Sequence, residues 1–296
     1  MQKKVYIQGF QGSNHDMAVR AYFADEEIQI VPCLSFQELF ENTIKEAAAY
    51  AMVAMENTLA GSLLPNYKLL RSSGLKVLGE YKMRISHYLL ALEGQSINEI
   101  CEVHSHPMAL AQCEDFLMSH PHLVLVASED TALSAKRISE QKQKGKAAIA
   151  TALAAEMYQL SILAERIESN PHNFTRFLLI GKNDHLLPFQ MSADKASVAF
   201  LLPHETGSLS RVLSVLAFYG ISLTKIQSLP VIGREWEYMF YADVTFSDYQ
   251  RYLLSLDAIR PLTTQLEVLG EYASHEQFSA VGQSKLRIMS NGHKLY

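Results

Sequence analysis

The stretch Asn173-Phe174-Thr175-Arg176-Phe177 follows a helix-breaking Asn170-Pro171-His172 and leads into residues 177–181, an apolar run typical of a buried strand. Thr175 and Arg176 are therefore expected at a loop-to-strand junction, a hydroxyl beside a permanent cation. The planar fork of a guanidinium suits a carboxylate or a phosphate, and the neighbouring hydroxyl is placed to donate to the same ligand. The alternative is that Arg176 pairs with a carboxylate of the protein and that Thr175 merely suits a strand.

Composition narrows the class of protein. The chain has 296 residues, of which 48% are apolar and 19% charged, as in soluble globular proteins of two or three domains. The net charge of −5 gives no support to nucleic-acid binding, and no apolar run approaches the roughly 20 residues that a membrane helix needs. The first residues lead into a strand rather than a signal-peptide core, and three scattered cysteines favour reduced thiols. We expect a cytoplasmic protein without membrane or nucleic-acid partners.

The first motif is a glycine-containing loop between a strand and a helix. Val5–Gln8 is typical of a buried strand, 9–14 is the loop, and helical periodicity begins near Asp16. Unpaired N–H groups at a helix N-terminus can cradle an anion, which makes Gly12 and Ser13 candidate ligand contacts. The pattern lacks the third glycine of a dinucleotide fingerprint, so a simple tight turn is the alternative.

Strands and helices then alternate through the first 182 residues. Residues 50–55 are typical of a strand, and the polar or small residues Glu56 to Ser62 follow it, where ligands gather in open α/β sheets. The run 81–91 is strand-like, and 147–169 is alanine-rich and helix-like, although 147–150 also suits a short strand. The alternation predicts two α/β lobes that share a cleft, with the segment from Phe177 returning to the first lobe.

Four residues raise the question of a metal site: Cys101, His104, His106 and Cys113. Pro107 places His106 in a turn at a helix start, and Cys113 lies on the apolar face of that helix. Buried thiols and a capping histidine are the expected interpretation, with no metal.

The last third has a different pattern. Residues 183–194 are polar and proline-containing, which is typical of a linker, and 274–296 have the weak periodicity of a tail. Between them the order strand, helix, strand, strand, helix, strand predicts a ferredoxin-like βαββαβ unit over residues 195–273.

Several of these blocks together resemble the monofunctional prephenate dehydratases, which convert prephenate to phenylpyruvate in phenylalanine biosynthesis. The resemblance covers about residues 5–272. It rests on the Thr175-Arg176-Phe177 signature, on Glu56-Asn57-Thr58 with Gly61-Ser62 (Thr58 where serine is usual), and on Ser105-His106-Pro107 with 109–113. The last domain resembles an ACT domain, the family's phenylalanine sensor, through Gly207-Ser208-Leu209 and residues 223–230.

The resemblance implies a lyase that needs neither cofactor nor metal, since aromatisation of the ring drives the loss of water and carbon dioxide. It implies residues 1–182 as the catalytic domain, with lobes at about 1–76 plus 175–182 and at 77–174. The implied catalytic residues are Thr175, Arg176, Phe177 and Glu56. The implied substrate-binding residues are Asn57, Thr58, Ser105, Gln112, Gly12, Ser13 and Asn173.

For the ACT domain the resemblance implies phenylalanine binding at a subunit interface in a homodimer or homotetramer. The effector-binding residues would be Gly207, Ser208, Leu209, Gln227 and Ser228. Gln227 and Leu229 stand where the family has glutamate and arginine. Feedback inhibition by phenylalanine is expected to be retained, and the alternatives are a lower affinity or a different effector.

Two other functions fit the same sequence. One is arogenate dehydratase, because arogenate differs from prephenate in carrying an amino group instead of a keto group. The other is a non-catalytic sensor of amino acids or carboxylates, because the two-lobed cleft also resembles periplasmic solute-binding proteins.

Overall fold

The computed structural model describes residues 3–24, 26–182, 193–234 and 236–275. They form a mixed α/β structure with three sheets. The strands are β1 Lys3–Gln8, β2 Ile28–Cys33, β3 Ala49–Asn57, β4 Gly61–Ser62, β5 Lys76–Arg84, β6 Tyr88–Ala91, β7 Glu102–Ser105, β8 Val124–Ala127, β9 Lys146–Ala150, β10 Ser161–Ala164, β11 Phe174–Gly181, β12 Lys195–Leu201, β13 Ser222–Pro230, β14 Tyr238–Thr245 and β15 Gln265–Tyr272. The helices are α1 Asn14–Phe23, α2 Phe36–Lys45, α3 Leu64–Ser73, α4 Pro107–Gln112, α5 Glu114–Met118, α6 Thr131–Glu140, α7 Ala152–Met157, α8 Ser208–Phe218 and α9 Tyr249–Ile259, with short 3₁₀ turns at Ile97–Glu99 and Arg260–Leu262.

Polar residues cap four of the longer helices. Ser13, Ser35, Asp130 and Asp248 each accept a hydrogen bond from a backbone N–H in the first turn of α1, α2, α6 and α9. Such caps satisfy donors that the helix itself leaves unpaired.

The first sheet has the order β2-β1-β3-β11-β5, with β4 paired to β3. β1 pairs in parallel with both β2 and β3. Since α1 leads from β1 to β2 on one side and β3 lies on the other, the chain changes direction between β1 and β3. In open α/β sheets ligands bind at such a switch point, outside the carboxyl ends of the strands.

The second sheet has the order β10-β6-β9-β7-β8. β7 pairs in parallel with β8 on one side and with β9 on the other. This sheet therefore has its own switch point at the end of β7, where α4 begins. Apolar clusters cover both faces, one around Leu89, Val103 and Ile149 and one around Leu90, Ala148 and Ala154.

The third sheet has the order β13-β14-β12-β15, with every adjacent pair antiparallel. With α8 and α9 this is the predicted βαββαβ topology. Its core includes Phe200, Val212, Leu216 and Tyr252.

Two sequence expectations about the first 182 residues were wrong. The run 81–91 is not one strand: β5 ends at Arg84, and β6 begins at Tyr88 in the second sheet. Most of 147–169 is not helical either, because only α7 is a helix, between β9 and β10. Alanines pack inside strands here, since Ala147, Ala148 and Ala150 are fully buried.

The chain divides into two compact units, residues 1–63 with 82–177 and residues 64–81 with 178–296. The domain limits predicted from the sequence stay a prediction. The predicted linker 183–194 lies outside the described residues except for its last two, and so does the predicted tail except for Ser274 and His275. Within the described residues no helix is long and apolar enough to span a membrane.

Candidate active site

The first compact unit contains a cleft with a volume of about 250 Å³. Its lining joins residues of the first and second sheets and of the helices that follow them. The lining residues are Gln8, Ser13, Asn14, His15, Ala54, Asn57, Ala60, Leu63, Ile85, His87, His106, Met108, Ala109, Gln112, Glu129, Asp130, Thr131, Thr175 and Phe177.

Three helices begin beside this cleft. Residues at the starts of α1, α4 and α6 line it, and the described lining residues include no lysine or arginine. The first N–H groups of a helix lack intrahelical partners and carry a partial positive charge. The start of α1 therefore offers partial positive charge to an anionic ligand, whereas at α6 the Asp130 carboxylate already accepts from Leu133.

Thr175 lines the cleft with its hydroxyl held by Asn57. The Asn57 side-chain Nδ2 donates to Thr175 Oγ1 at 3.0 Å. Because the hydroxyl oxygen accepts this bond, its own proton remains available to a ligand in the cleft. A hydroxyl that accepts a hydrogen bond is polarised by it and becomes a stronger donor.

Asn57 is fixed in turn by the chain around it. Its Oδ1 accepts from the backbone N–H groups of Leu59 and Ala60, each at 2.9 Å. Its Nδ2 also donates to Asn173 Oδ1 at 2.6 Å, and Asn173 is fully buried. Asn173 therefore braces Asn57 and does not line the cleft.

Thr58 joins the two signature segments instead of facing the cleft. Its hydroxyl donates to the backbone oxygen of His172 at 2.8 Å and accepts from the N–H of Phe174 at 2.9 Å. Its own N–H donates to the oxygen of Phe174 at 2.9 Å. The Thr58 hydroxyl therefore both donates and accepts a hydrogen bond within the protein.

Phe177 and His15 form one wall. Their rings meet edge to face with centroids 5.1 Å apart, and Phe177 is 1% exposed. His15 Nε2 accepts from the backbone N–H of Ala54 at 3.3 Å, so the neutral ring carries its proton on Nδ1. Burial lowers the pKa of His15 to about 4 because the charged ring would lose its hydration. His15 is a neutral hydrogen-bond donor.

Gln112 lines the cleft beside His87. Its Oε1 lies 2.9 Å from His87 Nε2, which makes that nitrogen the donor. Burial lowers the pKa of His87, although Gln112 and the nearby Glu168 act in the opposite direction. The backbone N–H of His87 donates to Glu168 at 2.9 Å. His87 therefore holds the Gln112 oxygen, and the Gln112 amide nitrogen is left to donate to a ligand.

Arg176 and Glu56 are not among the lining residues. Successive side chains of a strand point to opposite faces, so Thr175 and Phe177 face the cleft and Arg176 faces away. Arg176 is buried, and its Nη1 lies 3.2 Å from Glu56 Oε1. This geometry favours the alternative in which Arg176 pairs with a carboxylate of the protein; a grip on substrate stays a prediction.

Two other candidates are engaged within the protein. The Ser105 hydroxyl is fully buried and donates to the oxygen of Ile149 at 2.6 Å, which ties β7 to β9. The Gly12 N–H donates to Asp16 Oδ2 at 2.7 Å, and a Cβ on Gly12 would lie 3.1 Å from the Cα of Ala154. Gly12 allows close packing against α7.

Ser13 keeps a place in the cleft. It lines the cleft as the N-cap of α1, and its hydroxyl accepts from the N–H of Asp16. Its own hydroxyl proton remains for a ligand.

Asp130 was not singled out from the sequence as a site residue. It caps α6, with Oδ1 accepting from the N–H of Leu133 at 2.8 Å. A Cβ on Gly9 would lie 2.7 Å from Asp130 Oδ2, so only glycine lets the carboxylate approach this closely. Burial raises the pKa of Asp130, and hydrogen bonds from the first turn of α6 only partly offset it.

Sequence reasoning missed His15, His87 and Asp130. A signal existed for His15 and Asp130, because each stands at a helix start that follows a strand. His87 falls in the break between β5 and β6, which the strand-like run 81–91 concealed.

The four residues considered for a metal have separate environments. His106 Nδ1 accepts from the N–H of Met108 at 3.2 Å, and His104 pairs with Glu102. Cys113 is buried, which raises the pKa of its thiol to about 12, whereas Cys101 is exposed. Within the described ranges no group of three or more suitable side chains could hold a metal ion.

The third sheet has a separate pocket of about 140 Å³ at the start of α8. Ser208 and Leu209 line it, and Gly207 caps the helix with φ 82°, a conformation that favours glycine. Gln227 and Ser228 lie on β13 outside the lining, where Gln227 Nε2 donates to the backbone oxygen of Ser228. The only tryptophan of the chain, Trp236, also lines this pocket.

Known proteins match this arrangement over nearly the whole chain. The prephenate dehydratase family profile matches residues 5–185. Arogenate dehydratase 2 of Petunia hybrida is 36% identical over 287 residues, which are 92% of this chain and 72% of the relative.

Two solved structures have the same fold. Prephenate dehydratase from Arthrobacter aurescens, solved in complex with L-Phe, has a TM-score of 0.81 and 26% identity, and the match covers 97% of this chain and 98% of that one. GqqA, described as a novel type of quorum-quenching acylase, has a TM-score of 0.81 and 30% identity over 92% of this chain and 98% of its own.

These matches confirm the predicted α/β fold class and the predicted lyase family. The chain belongs to the prephenate dehydratase family.

Proposed function

We propose that this chain removes water and carbon dioxide together from prephenate, giving phenylpyruvate. The observation that carries the proposal is the Thr175 hydroxyl, which lines the cleft and accepts a hydrogen bond from Asn57 at 3.0 Å. The family membership supplies the reaction type.

The reaction needs a donor at the leaving hydroxyl and binding sites for two carboxylates. The bond between the ring carbon and its carboxylate breaks, and the released electron pair aromatises the ring as the C–O bond breaks. The hydroxyl leaves as water after taking up one proton, so prephenate and a proton yield phenylpyruvate, water and carbon dioxide.

Thr175 supplies the hydrogen bond to the leaving oxygen. An aliphatic hydroxyl is a weak acid, so it stabilises the departing oxygen while solvent supplies the net proton. A substrate carboxylate binds at the N-terminus of α1, where Ser13 and Asn14 line the cleft. His15, Gln112 and Phe177 orient the substrate and limit its hydration.

Arogenate is a second candidate substrate. The Petunia relative is named as an arogenate dehydratase, and the cleft lining includes the carboxylate of Asp130. Carboxylates suit the ammonium that arogenate carries in place of the keto group of prephenate.

The test is turnover by the purified full chain, with product identified by mass spectrometry. Incubation with prephenate should give phenylpyruvate, and incubation with arogenate should give phenylalanine. Absence of both products would reject the dehydratase proposal and favour a non-catalytic binding protein.

We also propose that L-phenylalanine binds the pocket lined by Ser208, Leu209 and Trp236 in a cytoplasmic homodimer or homotetramer. The support is the L-Phe complex of the Arthrobacter relative and the pocket at the N-terminus of α8. Because Trp236 is the only tryptophan, its fluorescence reports on this pocket directly. L-Phenylalanine should change the emission with saturation, whereas L-aspartate should not; equal responses would reject the site.

A further inference from the structure

The charge of Asp130 is not explained by the proposed reaction on prephenate. Prephenate brings two carboxylates into the cleft, and a carboxylate of the protein would repel them. As the N-cap of α6, Asp130 needs only an oxygen that accepts from Leu133. Serine and asparagine cap helices about equally well without a negative charge.

Among the residues that the structure describes, no lysine or arginine neutralises this carboxylate. Within the described part of the chain no ion pair joins Asp130 to either residue type. Arg137, the cation on the same helix, is occupied by Glu129 through two contacts of 2.9 and 3.4 Å. The first-turn N–H groups supply only a partial charge. Burial raises the pKa of Asp130, although the N–H groups of Leu133 and Ala132 and the nearby His106 act in the opposite direction. A carboxylate in this setting gains most from a cationic ligand.

The second oxygen of Asp130 is also built into the cleft. Its Oδ2 occupies the position that a side chain on residue 9 would fill, as the 2.7 Å approach to a Cβ on Gly9 shows. Gly9 lies just after β1, at the switch point of the first sheet, and its N–H is already bonded to Cys33. The Asp130 carboxylate therefore extends from the start of α6, which packs on the second sheet, to the loop that follows β1 in the first sheet.

We infer that Asp130 binds the α-ammonium of the substrate, so that the site prefers the amino-acid form, arogenate, over the keto form, prephenate. This inference rests on the proposed dehydratase function. A ketone can only accept hydrogen bonds, and ionised Asp130 has none to donate. An ammonium donates to the carboxylate and also removes one unit of the substrate's net negative charge.

The experiment compares kcat/KM for arogenate and prephenate in the purified full chain and in Asp130→Asn. Asparagine keeps the shape and the cap acceptor but removes the charge. The wild type should use arogenate better than prephenate. In Asp130→Asn the value for arogenate should fall at least about tenfold, as expected for a lost charge-assisted hydrogen bond, while that for prephenate changes less than about threefold.

Two control variants separate pairing from other effects. Asp248→Asn makes the same change at the N-cap of α9 in the second compact unit, where Asp248 accepts from Gln250 and Arg251. It should leave the ratio of the two kcat/KM values unchanged. Glu129→Gln removes the other carboxylate of the lining, which Arg137 already neutralises, and should shift the ratio less than about threefold.

Several outcomes would overturn the inference. One is a wild type that prefers prephenate, which leaves the dehydratase function intact. Others are an Asp130→Asn variant that loses both activities equally or neither, and a Glu129→Gln variant that shifts the ratio as much as Asp130→Asn. No turnover of either substrate would instead remove the dehydratase proposal, and this inference with it.

Discussion

Replacing Thr175 by valine tests the proposed donor with little change of shape. Thr175 is 8% exposed and its Oγ1 accepts from Asn57 at 3.0 Å. In the valine variant the Asn57 amide keeps two acceptors, Asn173 Oδ1 and the backbone oxygen of Phe174. The substitution should therefore lower the free energy of unfolding by only about 1 kcal/mol. Loss of one preorganised donor to a developing negative charge lowers kcat by about 10²- to 10³-fold, or roughly 3–4 kcal/mol.

The assay is steady-state turnover of prephenate and arogenate at neutral pH. Thr175→Val should lower kcat by that factor while KM changes less than about threefold, because the hydroxyl acts mainly in the transition state. Thr175→Ser restores a hydroxyl and should recover most of kcat. Equal activity of the valine variant and the wild type, or an inactive serine variant, would refute a role for the hydroxyl.

Three further predictions concern stability, measured as the free energy of unfolding in urea. His15 has a pKa of about 4 when folded, below its unfolded value near 6.5. The ring is neutral in both states above pH 6.5. As the pH falls to 4, the unfolded state gains a proton that the folded state does not, so the free energy of unfolding should fall by about 3 kcal/mol. His15→Asn should lack this part of the acid sensitivity, and an unchanged dependence of stability on pH would contradict the burial argument. Gly270→Ala should cost more than about 2 kcal/mol, since its Cβ would lie 2.1 Å from the backbone oxygen of Val77; a neutral effect would mean that this packing yields easily. Lys195→Met should cost about 3–5 kcal/mol, because it leaves Glu80, fully buried and 2.8 Å from the ammonium, without that partner; a loss below 1 kcal/mol would show that water reaches the carboxylate.

Much of the fold follows from local sequence. The N-caps Ser13, Ser35 and Asp248 mark helix starts, and the alternation of strands and helices predicts the α/β class. The break at Ile85 to His87 was not predicted, because residues 81–91 together are strand-like while the chain leaves one sheet for another. The alanine-rich composition of 147–169 favoured a helix over most of that run, whereas the alternative of a short strand at 147–150 is correct, because alanines are small enough to pack in a central strand.

The candidate site was only partly predictable for a related reason. Motifs name residues but not the direction of their side chains. Thr175, Asn57 and Gln112 line the cleft, whereas Thr58 and Ser105 use their hydroxyl groups on backbone oxygens.

Long-range partners decide the remaining roles. Arg176 meets Glu56, which is 120 positions away in sequence, on the face of β11 opposite Thr175. Asp130 approaches Gly9, which belongs to the other sheet's loop. Neither contact leaves a local pattern in the sequence.

The most direct test of the central claim is product formation by the purified full chain from prephenate and from arogenate. The structure predicts turnover of both, to phenylpyruvate and to phenylalanine, with the larger kcat/KM for arogenate. Failure to form either product would contradict the assignment of this cleft as a dehydratase active site.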